Sequence, residues 1–171
     1  MLVGVLSDTH GRLPLAAYEA LADCELIIHA GDIGGPEIIR ELETLAPVTA
    51  VLGNNDFPEY GARVGRSARI EVEGVKLLVA HYPRDVRISA FGTGALAPGD
   101  LIPDVCIHGH THVPRLEFGK EVRPAQYVLC PGSVSRPRSG SAPSVAKIEV
   151  SCGGVKSIRV ESLTGETLLQ V

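Results

Sequence analysis

The chain has 171 residues, which predicts one domain over residues 1–171 that is long enough to bury a sizeable core. Its 44% hydrophobic and 21% charged residues are typical of a globular protein and exclude an intrinsically disordered one. The formal net charge of −4 excludes an extended basic surface for a nucleic-acid backbone. We therefore expect local charge, which metal ions can supply, to attract any polyanionic substrate.

The first half of the chain alternates short apolar runs with helical segments. Strands are predicted at 1–6, 26–30 and 48–52. Helices are predicted at 13–21 and 36–45, each with a proline near its start, where proline is tolerated. Apolar strands that alternate with helices are typical of a parallel sheet covered on both faces, so we predict an α/β fold.

The second half contains mostly strands. They are predicted at 69–72, 75–80, 105–108, 127–129, 144–150 and 155–161. The pairs Glu73-Gly74 and Gly153-Gly154 predict hairpin turns between neighbouring strands. The segment 82–103 has no clear period and is interpreted as a short helix or an ordered loop. Its composition predicts a loop at 133–143.

Nothing in the sequence predicts a membrane span or a signal peptide, because residues 1–6 already have the pattern of a strand. The cysteines lie far apart with no CxxC spacing, which indicates reduced, partly buried side chains and not a disulfide framework. They are Cys24, Cys106, Cys130 and Cys152. Together these observations favour a cytoplasmic protein.

Polar side chains that can bind metal ions follow five of the predicted strands. The five clusters are Asp8-Thr9-His10, Gly31-Asp32, Gly53-Asn54-Asn55-Asp56, His81 and Gly109-His110-Thr111-His112. Ligands of open α/β sheets bind beyond the carboxyl ends of the strands, so the clusters are expected to meet in one crevice. In extended backbone, residues i and i+2 point to the same side, so Asp8 and His10 are expected to approach an ion together, and so are His110 and His112.

Each cluster has an ordinary structural explanation when it is taken alone. An isolated Asp-x-His is usually a helix cap or a turn, and an isolated Gly-Asp is usually a turn. His81 by itself is compatible with a hydrogen-bonded core histidine. All five clusters together, in this order and each after a strand, favour a metal site. The glycines that precede the polar residues are expected where the backbone turns sharply or approaches an ion closely: Gly31, Gly53 and Gly109.

The motif order D-x-H, G-D, G-N-x-D, H, G-H-x-H resembles the calcineurin-like metallophosphoesterase superfamily. The small size and the run Pro131–Arg138 (PGSVSRPR) resemble its compact bacterial and archaeal phosphodiesterase branch, which the retromer subunit vacuolar sorting protein 29 shares. The resemblance implies a two-sheet β-sandwich flanked by helices. It also implies a phosphodiesterase that holds two divalent transition-metal ions.

The resemblance further implies a ligand set. A first ion would be held by Asp8, His10, Asp32 and His112. A second ion would be held by Asn54, His81, His110 and a bridging Asp32. Such mixed oxygen and imidazole ligands suit Mn²⁺, Fe, Zn²⁺, Ni²⁺ or Co²⁺ better than Mg²⁺. Two bridged ions would lower the pKa of the water between them, so that hydroxide attacks the phosphorus in line.

Three neighbours of the ligands need their own interpretation. Asn55 stands where many members of the superfamily have a histidine that protonates the leaving group, and an amide cannot act as that acid. Compact members often lack this histidine, which favours a narrow substrate range over inactivity. Asp56 is expected either to orient a ligand or Asn55, or to form a turn. Tyr82 follows His81 where a glycine is common, which predicts a local difference in the backbone.

Other polar residues are weaker candidates. In regular strands, His29 and His108 point away from the neighbouring site residues, so we expect them to support the ligands from behind or to lie in the core. Arg136 and Arg138 are candidates for binding substrate phosphate, but a solvated loop is the favoured interpretation. The segment 31–35 fits neither the dinucleotide pattern nor the P-loop pattern, which argues against a nucleotide-binding module.

Two functions from different classes remain. The favoured function is hydrolysis of a small-molecule phosphodiester. The alternative is a non-catalytic metal-binding scaffold that resembles the retromer subunit. A scaffold can lose a ligand without penalty, whereas all seven ligand positions here hold competent residues, so the enzyme is favoured. A homodimer is left open, since compact relatives commonly form dimers.

Overall fold

The computed structural model describes residues 1–87 and 101–171. Within these residues the strands form one six-stranded and one five-stranded sheet, with three short α-helices. In chain order the elements are β1 (Leu2–Leu6), α1 (Leu15–Ala20), β2 (Leu26–His29), α2 (Pro36–Leu42), β3 (Val48–Ala50), β4 (Ser67–Val72), β5 (Val75–Ala80), α3 (Pro83–Val86), β6 (Val105–Ile107), β7 (Arg115–Phe118), β8 (Tyr127–Cys130), β9 (Ser144–Ser151), β10 (Gly154–Ser162) and β11 (Thr167–Gln170).

Each sheet contains three adjacent parallel strands, which form one side of the larger sheet and the centre of the smaller one. The larger sheet has the order β11–β10–β9–β1–β2–β3, and β1, β2 and β3 are parallel. The smaller sheet has the order β4–β5–β6–β8–β7, and β5, β6 and β8 are parallel. Parallel neighbours end on the same side, so the loops after β1, β2 and β3 lie together at the carboxyl ends of these strands. The loops after β5 and β6 likewise lie together at the carboxyl ends of their strands in the second sheet.

The apolar core has two main layers. One layer lies between the sheets and includes Val5, Ile28, Leu77, Ile107 and Ile148, all of which are buried. The other lies between the first sheet and its helices, and its buried members include Leu6, Ala17, Leu21, Ile39 and Leu42. Burial on both faces explains why the strands near the start of the chain are continuous apolar runs. Each fully buried valine, leucine or isoleucine side chain stabilises the fold by about 1.5–3 kcal/mol.

The helix predictions are confirmed in position but were too long. Helix α1 covers Leu15–Ala20 because Pro14 precedes it in extended conformation, and α2 ends at Leu42. Pro36 is the first residue of α2, as expected for proline at a helix start. Of the segment 82–103, the structure shows the short helix α3, and the prediction for 88–100 lies outside the described residues.

Both predicted hairpins form. Val72 pairs with Val75, and the intervening Glu73 and Gly74 both have positive φ (51° and 81°), as the tight turn requires. The second turn was predicted one residue too late. Its corner residues are Cys152 and Gly153, whereas Gly154 already pairs with Ser151 in the ladder.

Three of the four cysteines are buried and unpaired, close to the prediction of reduced, partly buried thiols. Cys24, Cys106 and Cys130 are buried and free, whereas Cys152 is exposed and so departs from the prediction of partial burial. Among residues 1–87 and 101–171, no helix has the length and apolar character that crossing a membrane requires.

Candidate metal centre

The strand ends bring the predicted ligands of both sheets together. Four of these side chains form a compact group whose ligand atoms all lie within 4.8 Å of one another: Asp8, His10, Asp32 and His112. Asp8 follows β1 and Asp32 follows β2, whereas His112 follows β6 of the other sheet. Within this group, Asp8 Oδ1 and His112 Nε2 lie 3.1 Å apart. This group coincides with the ligand set implied for the first ion.

The remaining predicted ligands lie on the other side of Asp32. Asn54 Oδ1 is 3.1 Å from His81 Nε2 and 2.9 Å from His110 Nδ1. His81 Nε2 is also 3.5 Å from Asp32 Oδ1, and His10 Nε2 is 3.8 Å from Asp32 Oδ2. Asp32 therefore lies between the two groups, which is the position that a bridging ligand needs.

Hydrogen bonds behind the cluster fix which ring nitrogen two histidines present. His112 Nδ1 donates to the carbonyl oxygen of Arg136 at 2.6 Å, and His81 Nδ1 donates to that of Ala30 at 2.8 Å. In each neutral ring the proton therefore lies on Nδ1, and the lone pair of Nε2 points into the cluster. Metal-binding histidines in proteins are commonly held in this way.

The oxygen and nitrogen atoms of the cluster are arranged to bind a cation. Asp8 Oδ1 is buried without a hydrogen-bond partner, and the atom that faces it, His112 Nε2, presents a lone pair. The oxygen of Asn54 faces the lone pair of His81 in the same manner. Two acceptors in contact repel each other unless a positive charge lies between them. Carboxylate, amide and imidazole donors together suit a divalent transition metal.

Burial sets the charge states of these groups when no ion is bound. It raises the pKa of Asp8 to about 6, although a hydrogen bond from Ser7 opposes the change. Burial also lowers the pKa of His10, His110 and His112. Since the pKa of each of these three imidazoles lies below its ordinary value, they are neutral at pH 7, which is the form that binds a metal.

The backbone of the ligands contradicts one prediction. Asp8 and His10 do not lie in extended backbone, and neither do His110 and His112. Five of the seven predicted ligands instead have φ in the left-handed region: Asp8 (56°), His10 (48°), Asp32 (55°), His110 (67°) and His112 (61°). For residues other than glycine this conformation costs about 1–2 kcal/mol each. Tight turns, and not the alternation of a strand, aim these side chains, and such strain is concentrated at functional sites.

Glycines allow the ligand loops to approach one another. A Cβ atom on Gly31 would lie 2.6 Å from His81 Nδ1, and one on Gly109 would lie 2.9 Å from Asp8 Oδ2. A Cβ atom on Gly53 would overlap the Asp32 carboxylate. Glycine is therefore required at these three positions because the backbone approaches other candidate ligands closely, whereas its expected approach to an ion stays a prediction.

Asn55 and Asp56, the neighbours of Asn54 whose roles in catalysis and orientation the sequence left to be decided, both contact the Asp32 loop. Asn55 donates its backbone N–H to Asp32 Oδ1 at 2.8 Å and its side-chain amide to Asp32 Oδ2 at 2.6 Å. The Asp56 carboxylate accepts backbone N–H bonds from Ile33, Gly34 and Gly53. Burial would raise the pKa of Asp56, but these bonds outweigh it and lower the pKa. Asp56 thus holds the loop that carries Asp32.

His29 and His108 are both buried, as expected, and His108 Nδ1 donates to the carbonyl oxygen of Gly109 at 2.9 Å. His29 Nδ1 accepts the N–H of Gly31, so Nε2–H donates to Thr9 Oγ1 at 2.9 Å. Thr9 in turn donates to the carbonyl oxygen of Ile33 at 2.7 Å, which ties the first ligand loop to the second. Burial lowers the pKa of His29 to about 4, so this network is uncharged.

Tyr82 has the ordinary backbone of an extended residue (φ −87°, ψ 139°), so the position does not require glycine. The centre of its ring lies 4.6 Å from the centre of the His110 ring. The Arg84 guanidinium also packs on the tyrosine ring, 4.5 Å from its centre. No pattern in the sequence predicts the contact with His110, which packs Tyr82 against a candidate ligand.

Serine hydroxyls attach the 133–143 loop to the first ligand loop. Ser133 Oγ donates to the carbonyl oxygen of Asp8 at 2.9 Å, and Ser135 Oγ donates to that of Thr9 at 2.9 Å. Sequence reasoning interpreted this segment as a loop and missed these contacts. The sequence feature that indicates such contacts is the pair of serines on either side of Val134, shortly after the buried end of β8.

Comparison with known proteins agrees with this geometry. Residues 1–153 match the calcineurin-like phosphoesterase superfamily domain. A probable metallophosphoesterase of Methanothermobacter thermautotrophicus is 40% identical over 162 residues, which cover 88% of this chain and 86% of the relative. A phosphodiesterase of Methanocaldococcus jannaschii is 31% identical over 129 residues, which cover 66% of this chain and 74% of the relative.

Solved structures share the fold. Yfce, a phosphoesterase from E. coli, superimposes with a TM-score of 0.73 at 24% identity, covering 100% of this chain and 98% of that one. Vps29 of Entamoeba histolytica, in a structure with Zn²⁺, gives a TM-score of 0.72 at 22% identity, with coverages of 100% and 98%. At these identities the likeness shows the fold alone, and it confirms the predicted two-sheet architecture flanked by helices.

Proposed function

The chain belongs to the calcineurin-like phosphoesterase superfamily, and from this premise we propose that it is a metal-dependent phosphodiesterase that acts on a small-molecule phosphodiester. The observation that carries the proposal is the group of acceptor atoms at the strand ends. Asp8 Oδ1 is buried without a donor, and His112 and His81 are held with their Nε2 lone pairs toward carboxylate and amide oxygens. This arrangement is costly for a protein alone and is offset when cations bind.

We assign the ligands in two sets that share one carboxylate. The first ion would be held by Asp8, His10, Asp32 and His112. The second ion would be held by Asp32, Asn54, His81 and His110. When bound, divalent ions at these positions supply Lewis-acid chemistry, activating a water molecule and neutralising charge on the phosphoryl oxygens. Four imidazoles among the ligands favour Mn²⁺, Ni²⁺, Co²⁺, Fe or Zn²⁺ over Mg²⁺.

Residues around the ligands orient them. The two N–H groups of Asn55 each engage one oxygen of Asp32, so they limit rotation of the shared carboxylate. Asp56 fixes the backbone after Asp32 through Ile33 and Gly34. An amide has no acidic proton to give, so the proposed reaction includes no protonation of the leaving group by residue 55. The leaving oxygen therefore departs as an anion or is protonated by solvent.

The test is hydrolysis of bis(4-nitrophenyl) phosphate by protein that has been stripped with a chelator and then reloaded with single metals. We expect Mn²⁺, Ni²⁺ or Co²⁺ to restore the rate and Asp32→Asn to abolish it. Glu166→Gln, which changes an exposed carboxylate far along the chain, is the control. If two ions bind per chain and no metal restores hydrolysis of any ester, the scaffold becomes the better interpretation. The cytoplasmic location and the homodimer stay predictions.

A further inference from the structure

The segment 133–141, here named the arginine loop, is built into the wall of the candidate metal centre. Ser133 and Ser135 donate to the carbonyl oxygens of Asp8 and Thr9. Ser133 Oγ also accepts the backbone N–H of Arg136 at 2.9 Å. A segment held by this many hydrogen bonds to a ligand loop has a defined position beside it. The interpretation of a freely solvated loop, which the sequence favours, does not fit these contacts.

Two arginines of the loop lie directly beside His112. The carbonyl oxygen of Arg136 accepts the Nδ1–H of His112 at 2.6 Å, and the backbone N–H of Arg138 donates to the carbonyl oxygen of His112 at 3.2 Å. Ser141 Oγ donates to the carbonyl oxygen of Arg138 at 2.7 Å. Arg138 Nη1 reaches the carbonyl oxygen of His110 at 3.4 Å, so its charge lies next to the ligand loop.

The charges of these arginines are not neutralised by carboxylates. Both side chains are exposed, and neither forms an ion pair within the part of the chain that the structure describes. Other exposed arginines do pair, for example Arg63 with Glu43 and Arg159 with Glu161.

We infer that Arg136 and Arg138 bind a second anionic group of the substrate, beyond the phosphodiester that is cleaved; this inference rests on the proposed function. A phosphodiester carries one negative charge, which bound ions already neutralise. Two more positive charges at the rim exceed what that group needs. Guanidinium groups match phosphate oxygens with two parallel hydrogen bonds, so a phosphate monoester is the chemical class that fits best.

The experiment compares two esters that differ by one phosphate: thymidine 5′-(4-nitrophenyl phosphate) with and without a 3′-phosphate. We expect the loaded native enzyme to prefer the 3′-phosphorylated ester by about tenfold in kcat/KM, as for charged hydrogen bonds weakened by solvent. Arg136→Gln/Arg138→Gln should abolish the preference mainly through KM. Arg159→Gln, a paired arginine on β10, should retain it. If the double variant lost kcat/KM equally on both esters, the guanidinium groups would contact the cleaved phosphate, and the inference would be wrong.

A binding measurement separates this inference from the proposed function. Calorimetry with thymidine 3′,5′-bisphosphate and thymidine 5′-phosphate needs no turnover. One outcome is that neither 4-nitrophenyl ester is hydrolysed, but the bisphosphate binds about tenfold more tightly to native protein than to the double variant. In that case the inference stands and the proposed function fails. If the native protein shows no preference for the bisphosphate, or the double variant keeps the preference, the inference is wrong.

Discussion

Replacing Asp8 by asparagine is expected to stabilise the metal-free protein at pH 8. Asp8 Oδ2 accepts hydrogen bonds from Ser7 Oγ at 2.6 Å and from the N–H of His110 at 3.1 Å, and an asparagine oxygen can accept both. Asp8 Oδ1, by contrast, has no donor and faces His112 Nε2 at 3.1 Å. An amide N–H at that position would donate to the lone pair of His112. The substitution therefore converts a repulsive contact into a hydrogen bond.

The magnitude follows from the pKa of the carboxyl group. Burial raises it from 3.8 to about 6 in the folded protein. An acid with a raised pKa stabilises the fold below its unfolded pKa, and that stability is lost as the pH rises through the folded pKa. Since each tenfold change in proton affinity corresponds to ~1.4 kcal/mol, the ionised carboxylate costs about 3 kcal/mol above pH 6. Asparagine has no charge to bury and avoids this cost.

The assay is urea unfolding of stripped native and Asp8→Asn protein at pH 5 and pH 8. We expect a difference in unfolding free energy of about 3 kcal/mol at pH 8 that becomes smaller at pH 5. Comparing the two proteins cancels the titration of groups that they share. Saturating Mn²⁺ should reverse the order, because the variant lacks a ligand. A native protein that is as stable as the variant at pH 8, or a difference independent of pH, would refute the reasoning.

Three further predictions concern the ions and the reaction. Asp32→Ala should lose both ions, whereas His10→Ala should lose mainly one, which metal analysis of the purified variants measures; an Asp32→Ala protein that keeps two ions contradicts bridging. Mn²⁺, Ni²⁺ or Co²⁺ should restore hydrolysis to stripped enzyme far better than Mg²⁺, because four of the proposed ligands are imidazoles, and equal rates with Mg²⁺ would count against that ligand set. The rate should fall steeply as the leaving-group pKa rises, since positioned acid catalysis worth ~10²–10⁴-fold is lacking at Asn55. A plot of log rate against leaving-group pKa measures this, and a flat plot would mean that another residue supplies the proton.

The sequence was informative wherever one local pattern determines the structure. The apolar run of β5 and the Glu73-Gly74 turn were predicted because periodicity and turn preference act over a few residues. Strands β7 and β11 were missed, since both lie at sheet edges and their residues are only partly buried. An edge strand needs fewer apolar residues, so its pattern is weak.

The candidate ligands can be selected from the sequence, but the way the fold holds them cannot. Asp8 and His10 could be recognised from residue type and spacing, yet their left-handed backbone depends on the surrounding loops. Asn55 and Asp32 are 23 residues apart in the sequence, and nothing local indicates that one donates to the other. The contact of Ser133 with Asp8 spans 125 residues. Such bonds between distant segments carry no short-range signal.

The proposed ligands come from both sheets, with Asp8, Asp32 and Asn54 after strands of the first and His81 and His110 after strands of the second. An ion held by both groups cross-links the two halves of the sandwich, so unfolding either half releases it. Metal supply then becomes a determinant of folding yield and of resistance to proteases. At an ion concentration a thousandfold above the dissociation constant, this coupling adds about 4 kcal/mol to the free energy of unfolding. Cells starved of the ion would accumulate less of the protein, not merely less active protein.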